Sequence, residues 1–221
     1  MNCYLCDDEL LFVPSWRGLF YNDFDEVICR KCKSGFERIH GQVCRICGIA
    51  GERLCQECKN WETTEFKGLI QSGQSLYSYN DVMKEYFHQY KFLQDIVLAK
   101  VFSAEISQML KKSKAAIVPI PMNDEKLEER TFSQVDCMLE AANLSFSHFL
   151  KKSSEVQGEK NKAERMLTRD LFVWNGEQVP SDIVIVDDIY TTGTTMRQAA
   201  QVLKQAGAQK ISIFTLIRVG L

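Results

Sequence analysis

Two adjacent carboxylates, Asp187 and Asp188, close the apolar run Val184-Ile185-Val186, and the hydroxyl-rich loop Thr191-Thr192-Gly193-Thr194-Thr195 follows almost at once. Ionised carboxylates are acceptor-only groups, so a neighbouring pair suits two vicinal hydroxyls. A loop that opens a helix leaves its backbone N–H groups without intrahelical partners, and the helix dipole adds positive potential at the same place. The N–H groups of Thr192 to Thr195 therefore make an anion site the size of a phosphate. Gly193 lets the backbone turn and approach a ligand with no Cβ in the way. A diol on one side and a phosphate on the other describe a ribose 5-phosphate. An ordinary strand-to-helix turn needs neither the acid pair nor four threonines around a glycine.

The second chemical pattern is a set of four Cys-x-x-Cys pairs: Cys3/Cys6, Cys29/Cys32, Cys44/Cys47 and Cys55/Cys58. A two-residue gap turns both sulfurs toward one metal, and two such pairs complete a tetrahedral thiolate site. Eight ligands imply two Zn²⁺ ions. Disulfides compete for the same residues, but Cys3 follows directly on Met1-Asn2 with no secretory leader ahead of it, so a reducing, cytoplasmic setting is expected. Iron–sulfur ligation fits the ligand type and not the usual cluster spacing. Spacing leaves the pairing open between a sequential arrangement and an interleaved cross-brace. Cys137, between Val135 and Met138, reads as a core residue. His40, His88 and His148 stand at no ligand spacing from the cysteines.

The elements that must position these groups follow from periodicity. With 221 residues, 45% of them hydrophobic, the chain can build one α/β core plus a small appended unit. The cysteine-rich segment ends near Trp61, giving a metal unit over residues 1–62, a linker over 63–74 and a larger unit over 75–221. Phe12, Phe36 and Ile39 are expected to pack beside the metals, because so short a segment depends on zinc for its fold. Leu76 to Tyr79 alternates like an edge strand, and Asp81 is placed to cap a helix burying Val82, Met83, Tyr86, Phe87 and Tyr90. A second helix is predicted from about Asp95 to Leu110, and a buried strand over Ala116–Ile120. A helix follows at Ser133–Ala142, a short strand at Ser147–Leu150 and a short basic helix at Asn161–Thr168. The acid-pair strand, a helix with Ala199, Ala200, Leu203 and Ala206 on its apolar face, and a last strand at Ile211–Leu216 complete a mostly parallel sheet. The threonine loop then lies at the carboxyl edge of that sheet, where ligands of such folds bind.

Charge narrows the functions. The formal net charge is −2; residues 1–62 hold eight Lys/Arg against ten Asp/Glu, and the remainder balances. Metallation makes the small unit more acidic still, which argues against it as the main seat for nucleic acid. Lys151, Lys152, Lys160, Lys162, Arg165 and Arg169 form the densest cationic stretch, able to clamp pyrophosphate, track a nucleic-acid backbone or simply face solvent. No apolar run approaches a membrane span.

The segment Asp187 to Thr195 resembles the phosphoribosyl pyrophosphate (PRPP) motif of type I phosphoribosyltransferases. The resemblance implies that Asp187 and Asp188 hold the ribose 2′- and 3′-hydroxyls, that Thr191, Thr192, Gly193, Thr194 and Thr195 wrap the 5′-phosphate, and that Mg²⁺ accompanies PRPP. It also makes Asp188 the candidate catalytic carboxylate. A tetracysteine amino-terminal unit ahead of such a domain is similar to the ComF family of competence proteins, of ComFC type. Val118-Pro119-Ile120-Pro121, Arg130-Thr131-Phe132-Ser133-Gln134 and Tyr90-Lys91-Phe92 with Asp95 carry that likeness. It implies a type I phosphoribosyltransferase fold with a double zinc-ribbon-like domain, and a factor for natural transformation that assists uptake of single-stranded DNA. It further implies a partner, the ATP-driven translocase ComFA, and a flexible segment at Lys151–Arg169 that folds over the site. A salvage phosphoribosyltransferase with a nucleobase acceptor and a PRPP-sensing module are the alternatives. Thr131 and Gln94 stand where the family has glycine, and Gln94, in the pyrophosphate loop, is expected to adopt the unusual backbone angles there only at a cost.

Overall fold

A computed structural model describes residues 1–10, 27–153 and 171–220. Phe12, the predicted basic helix at Asn161–Thr168, and Lys160, Lys162, Arg165 and Arg169 lie outside the described residues.

The centre is a four-stranded parallel sheet. Its strands are β1 (Ser72–Ser78), β2 (Ala116–Pro119), β5 (Asp182–Tyr190) and β6 (Lys210–Arg218), in the spatial order β1-β6-β5-β2. Alternate residues of β5 feed opposite faces: Ile183 and Ile185 join one core, Val184 and Val186 the other. Both sides of a central parallel strand must be covered, and the apolar run in the sequence reflects that. One cover is built from α3 (Asp81–Lys91), a 3-10 helix at Ile96–Phe102, α4 (Ser103–Leu110) and α6 (Gln134–Ala141). The other is α7 (Thr194–Gln205), whose Met196, Ala199, Ala200 and Leu203 are buried.

Several expectations change at this level. The helix cap is Asn80, whose side chain accepts from Met83 N–H at 2.9 Å; Asp81 is the first helical residue. The single helix expected from Asp95 to Leu110 divides into the 3-10 stretch and α4. The strand expected at Ser147–Leu150 is β3 (Leu150–Lys152), which pairs antiparallel with β4 (Phe172–Trp174) outside the main sheet. Helix α5 (Asp124–Arg130) was not anticipated. Six of its seven residues are charged, so it shows no apolar stripe, and its start is fixed by Asn123 accepting from Lys126 N–H. Cys137 packs partly buried against the helical core, as read.

The cysteine-rich segment covers the outer edge of β1. Ile39 N–H donates to Leu76 O, Ser78 N–H to Glu37 O and Gly73 N–H to Arg45 O, at 2.7–2.8 Å. A Cβ on Gly73 would sit 2.0 Å from Ile46 O, so glycine is required for this approach. An open sheet edge is thereby satisfied. Phe36 of the same segment enters the aromatic cluster of Tyr77, Tyr86 and Phe102, its ring 4.9 Å from that of Phe102. Among the described residues no helix is long and apolar enough to cross a membrane.

Candidate functional site

The eight paired cysteines form two clusters, Cys3/Cys6/Cys29/Cys32 and Cys44/Cys47/Cys55/Cys58, with the sulfurs of each within 4.8 Å of one another. The sequential pairing is thus the one the fold adopts. A Zn–S bond of about 2.3 Å gives a tetrahedron edge of roughly 3.8 Å. Cys6 Sγ and Cys29 Sγ are 3.8 Å apart, and Cys47 Sγ and Cys55 Sγ are 3.6 Å apart. The donor set and spacing fit Zn²⁺. The two sites repeat one design. An antiparallel bridge flanks the first pair (Asn2 with Glu9, Val43 with Ala50), and the second pair opens a short helix. These are α1 (Arg30–Ser34) capped by Cys29 and α2 (Gln56–Trp61) capped by Cys55.

The acid pair lies inside β5, which continues through Ile189 to Tyr190 beyond the end expected from the sequence. Burial pushes the Asp187 carboxyl up to about 7, and the charge of Asp188 adds to the rise. A hydrogen bond from Asp188 N–H and the ammonium groups of Lys91 and Lys152 act in the opposite direction. Lys91, the last residue of α3, forms an ion pair with Asp188 Oδ2. Its Nζ also lies 4.4 Å from the centre of the Phe87 ring. The described start of the cationic stretch is therefore beside the acids: Lys152 ends β3, stacks over Phe172 and acts on Asp187.

The loop that follows turns at Gly193, in the left-handed region at φ 76°, and leads into α7 with no side-chain cap. Three successive carbonyls of this loop are each held by a side chain. Thr191 O accepts from Arg218 Nη1 at 2.8 Å, Thr192 O from Trp61 Nε1 at 2.9 Å, and Gly193 O from Arg197 Nη1 at 3.2 Å. In a trans peptide the carbonyl and the next N–H point in opposite directions, and no cis bond is present among the described residues. Each N–H of Thr192, Gly193 and Thr194 thus points away from the side chain that holds the carbonyl before it, as an anion cradle requires. The hydroxyls of Thr192 and Thr194 meet at 3.1 Å across the turn.

The strain expected at Gln94 is present, and Thr131 shares it. Gln94 has φ 56° and Thr131 φ 65°, the left-handed region that glycine favours. Gln94 is secured there by a hydrogen bond from its Nε2 to Glu129 O at 2.8 Å.

Residues 93–220 match the family described as "Phosphoribosyl transferase domain", a span holding the acid pair and the threonine loop. Over 226 residues the chain is 34% identical to Competence protein ComFC of Bacillus subtilis, covering 98% of this chain and 94% of that one. It is 35% identical over 224 residues to Competence protein ComFC of Streptococcus pneumoniae, covering 99% and 100%. The chain belongs to the ComFC family of competence proteins. A more distant relative is Competence protein F of Haemophilus influenzae, 22% identical over 208 residues, with 86% and 90% covered. ComFC membership joins the two motifs in one molecule: a parallel phosphoribosyltransferase-like sheet and two tetracysteine clusters.

The sequence did not mark Trp61, Glu57, Arg197 or Arg218 as functional. Arg197 and Arg218 are each 2% exposed. Arg197 offered one signal: it lies in the first turn of α7, where the dipole disfavours a cation.

Proposed function

We propose that this ComFC-type protein binds PRPP with Mg²⁺ at the end of β5 and serves natural transformation, in the cytoplasm, by assisting the handling of incoming single-stranded DNA. The observation that carries the binding reading is the backward anchoring of the Thr191, Thr192 and Gly193 carbonyls beside an acid pair. In this reading Asp187 and Asp188 accept from the ribose 2′- and 3′-hydroxyls, and Thr191, Thr192, Gly193, Thr194 and Thr195 enclose the 5′-phosphate. Lys91 exchanges its ion pair with Asp188 for the diphosphate of the ligand. Mg²⁺, when bound, neutralises that diphosphate as a leaving group. Asp188, freed from Lys91, stands beside the ribose, where a carboxylate stabilises developing positive charge or accepts a proton from an acceptor.

The eight clustered cysteines hold two Zn²⁺ in closed four-thiolate sites, which are structural and have no open position for chemistry. Residues 1–62 form the metal unit and 75–221 the transferase-like unit, joined by 63–74, whose last three residues already belong to β1 of the sheet; the metal unit is the natural docking face for the translocase ComFA. Strand contact falls to the cationic stretch beginning at Lys151 and Lys152, by neutralising phosphates.

Titration calorimetry with PRPP and Mg²⁺ tests the reading. The parent binds, and the double variant Asp187→Asn/Asp188→Asn loses at least about 100-fold in affinity, because two charge-assisted hydrogen bonds contribute roughly 1.5–3 kcal/mol each. Its melting temperature does not fall. Equal binding by the variant overturns the assignment. Pyrophosphate release with a nucleobase, and transformation unaffected by deletion, establish a salvage enzyme instead.

A further inference from the structure

The cluster Cys44/Cys47/Cys55/Cys58 is connected to the threonine loop by three separate side chains. Trp61 ends α2, the helix that Cys55 caps and that carries Cys58, and its indole N–H reaches Thr192 O. Arg197 donates through Nη2 to Cys58 Sγ at 3.6 Å, and through Nη1 to Tyr190 Oη at 2.6 Å and to Gly193 O. Its guanidinium also stacks 4.6 Å from the Trp61 ring. Arg218 pairs with Glu57 of α2 while holding Thr191 O. Each carbonyl that sets the direction of the cradle is thus held by a group tied to this one cluster.

Electrostatics explains why such cations are tolerated. A buried guanidinium is costly unless paired, and the start of a helix adds repulsion. A zinc ion with four thiolates keeps a net charge of about −2, and Glu57 adds a carboxylate. The metallated cluster is therefore the counter-charge of Arg197 and Arg218. Gly193 makes the fit mandatory, since a Cβ there would lie 2.0 Å from Tyr190 Oη and 2.3 Å from Arg197 Nη1. Among the described residues, the first cluster has no such links to the loop. Its residues pack with Ile28, Phe36 and the opposite core.

We propose that Arg197, Arg218 and Trp61 are positioning residues that make the second cysteine cluster and the phosphate loop one cooperative unit, so that zinc in the cluster and a phosphorylated ribose in the loop stabilise each other. The inference rests on the reading of the loop as the PRPP site. Linkage is reciprocal: if the metal orders the loop for its ligand, the ligand must retain the metal by the same factor.

The test uses the full-length, zinc-loaded protein and follows release of each zinc to a chromogenic chelator, with PRPP binding measured in parallel by calorimetry. Cys3→Ser/Cys6→Ser protein identifies the release phase of the second cluster. Saturating PRPP with Mg²⁺ should slow that phase about fivefold or more, the lower end of common coupling factors, and leave the other phase unchanged. Ribose 5-phosphate should act in the same direction. Arg197→Gln should abolish the slowing and weaken PRPP binding. Trp61→Phe, which keeps the ring and loses one N–H, should reduce both effects in a protein that still folds. PRPP that binds normally while slowing neither phase, or both equally, overturns the coupling and leaves the binding site standing. No PRPP binding by the parent removes the site and the coupling together.

Discussion

The two cysteine clusters share ligand type, local fold and the two-residue gap within each pair, yet they sit on opposite faces of the sheet and touch different things. Cys3 packs with Phe36 and the helical core, while Cys44, Cys47 and Cys58 pack with α7 and the other core. In the first cluster only Cys3 is buried and Cys6 is exposed; in the second only Cys55 is not buried. The first covers an edge. The second also sets three carbonyls of the proposed phosphate loop and neutralises two buried arginines. One tetracysteine arrangement can therefore serve two tasks, and the surroundings of the sulfurs decide which.

The largest effect expected from this contrast comes from removing one cluster at a time. Cys44→Ser/Cys47→Ser leaves Arg197 and Arg218 as buried cations without their thiolate counter-charge, a change that typically costs about 3–5 kcal/mol. At about 2–4 °C per kcal/mol for a chain of this size, the melting temperature should drop by roughly 10 °C or more, and PRPP binding should vanish. Cys3→Ser/Cys6→Ser should keep PRPP affinity within about fivefold. Thermal melts and calorimetry on both variants check this, and equal loss of binding would make the clusters equivalent.

A smaller effect concerns pH. The Asp187 carboxyl is raised to about 7 in the fold, above its ordinary value of 3.8. A raised carboxyl binds its proton more tightly when folded, so its contribution to stability is complete below about pH 4 and is lost as pH rises through 7. The ligand-free parent should therefore lose stability relative to Asp187→Asn across that window, by at most about 1.4 kcal/mol per pH unit. Chemical denaturation at several pH values measures it. A difference between the two proteins that stays flat from pH 4 to 8 would show that burial does not perturb Asp187.

The sequence made the local features readable. The acid pair and threonine loop follow from one strand–loop–helix pattern, and the Cys-x-x-Cys spacing names the cysteines that cluster. Gln94 and Thr131 could be flagged because a non-glycine residue at a glycine position has few backbone options. What the sequence hid is long-range. Trp61 reaches Thr192 across 131 residues, Arg197 reaches Cys58 across 139, and Arg218 reaches Glu57 across 161. Such pairs leave no periodic trace. The choice between sequential and cross-braced clusters was hidden for the same reason. Strands β3 and β4, three residues each, are too short for alternation to show, so the first was placed too early and the second was not anticipated.

The most direct measurement is a crystal structure of the zinc-loaded protein with PRPP and Mg²⁺. The account predicts the 5′-phosphate within about 3 Å of the N–H groups of Thr192, Gly193 and Thr194, the usual length of an N–H···O bond. It also predicts the ribose hydroxyls on Asp187 and Asp188, Lys91 released from Asp188, and the Trp61, Arg197 and Arg218 bonds to the loop unbroken. A phosphate bound elsewhere, or a loop whose carbonyls have turned toward the ligand, would contradict it.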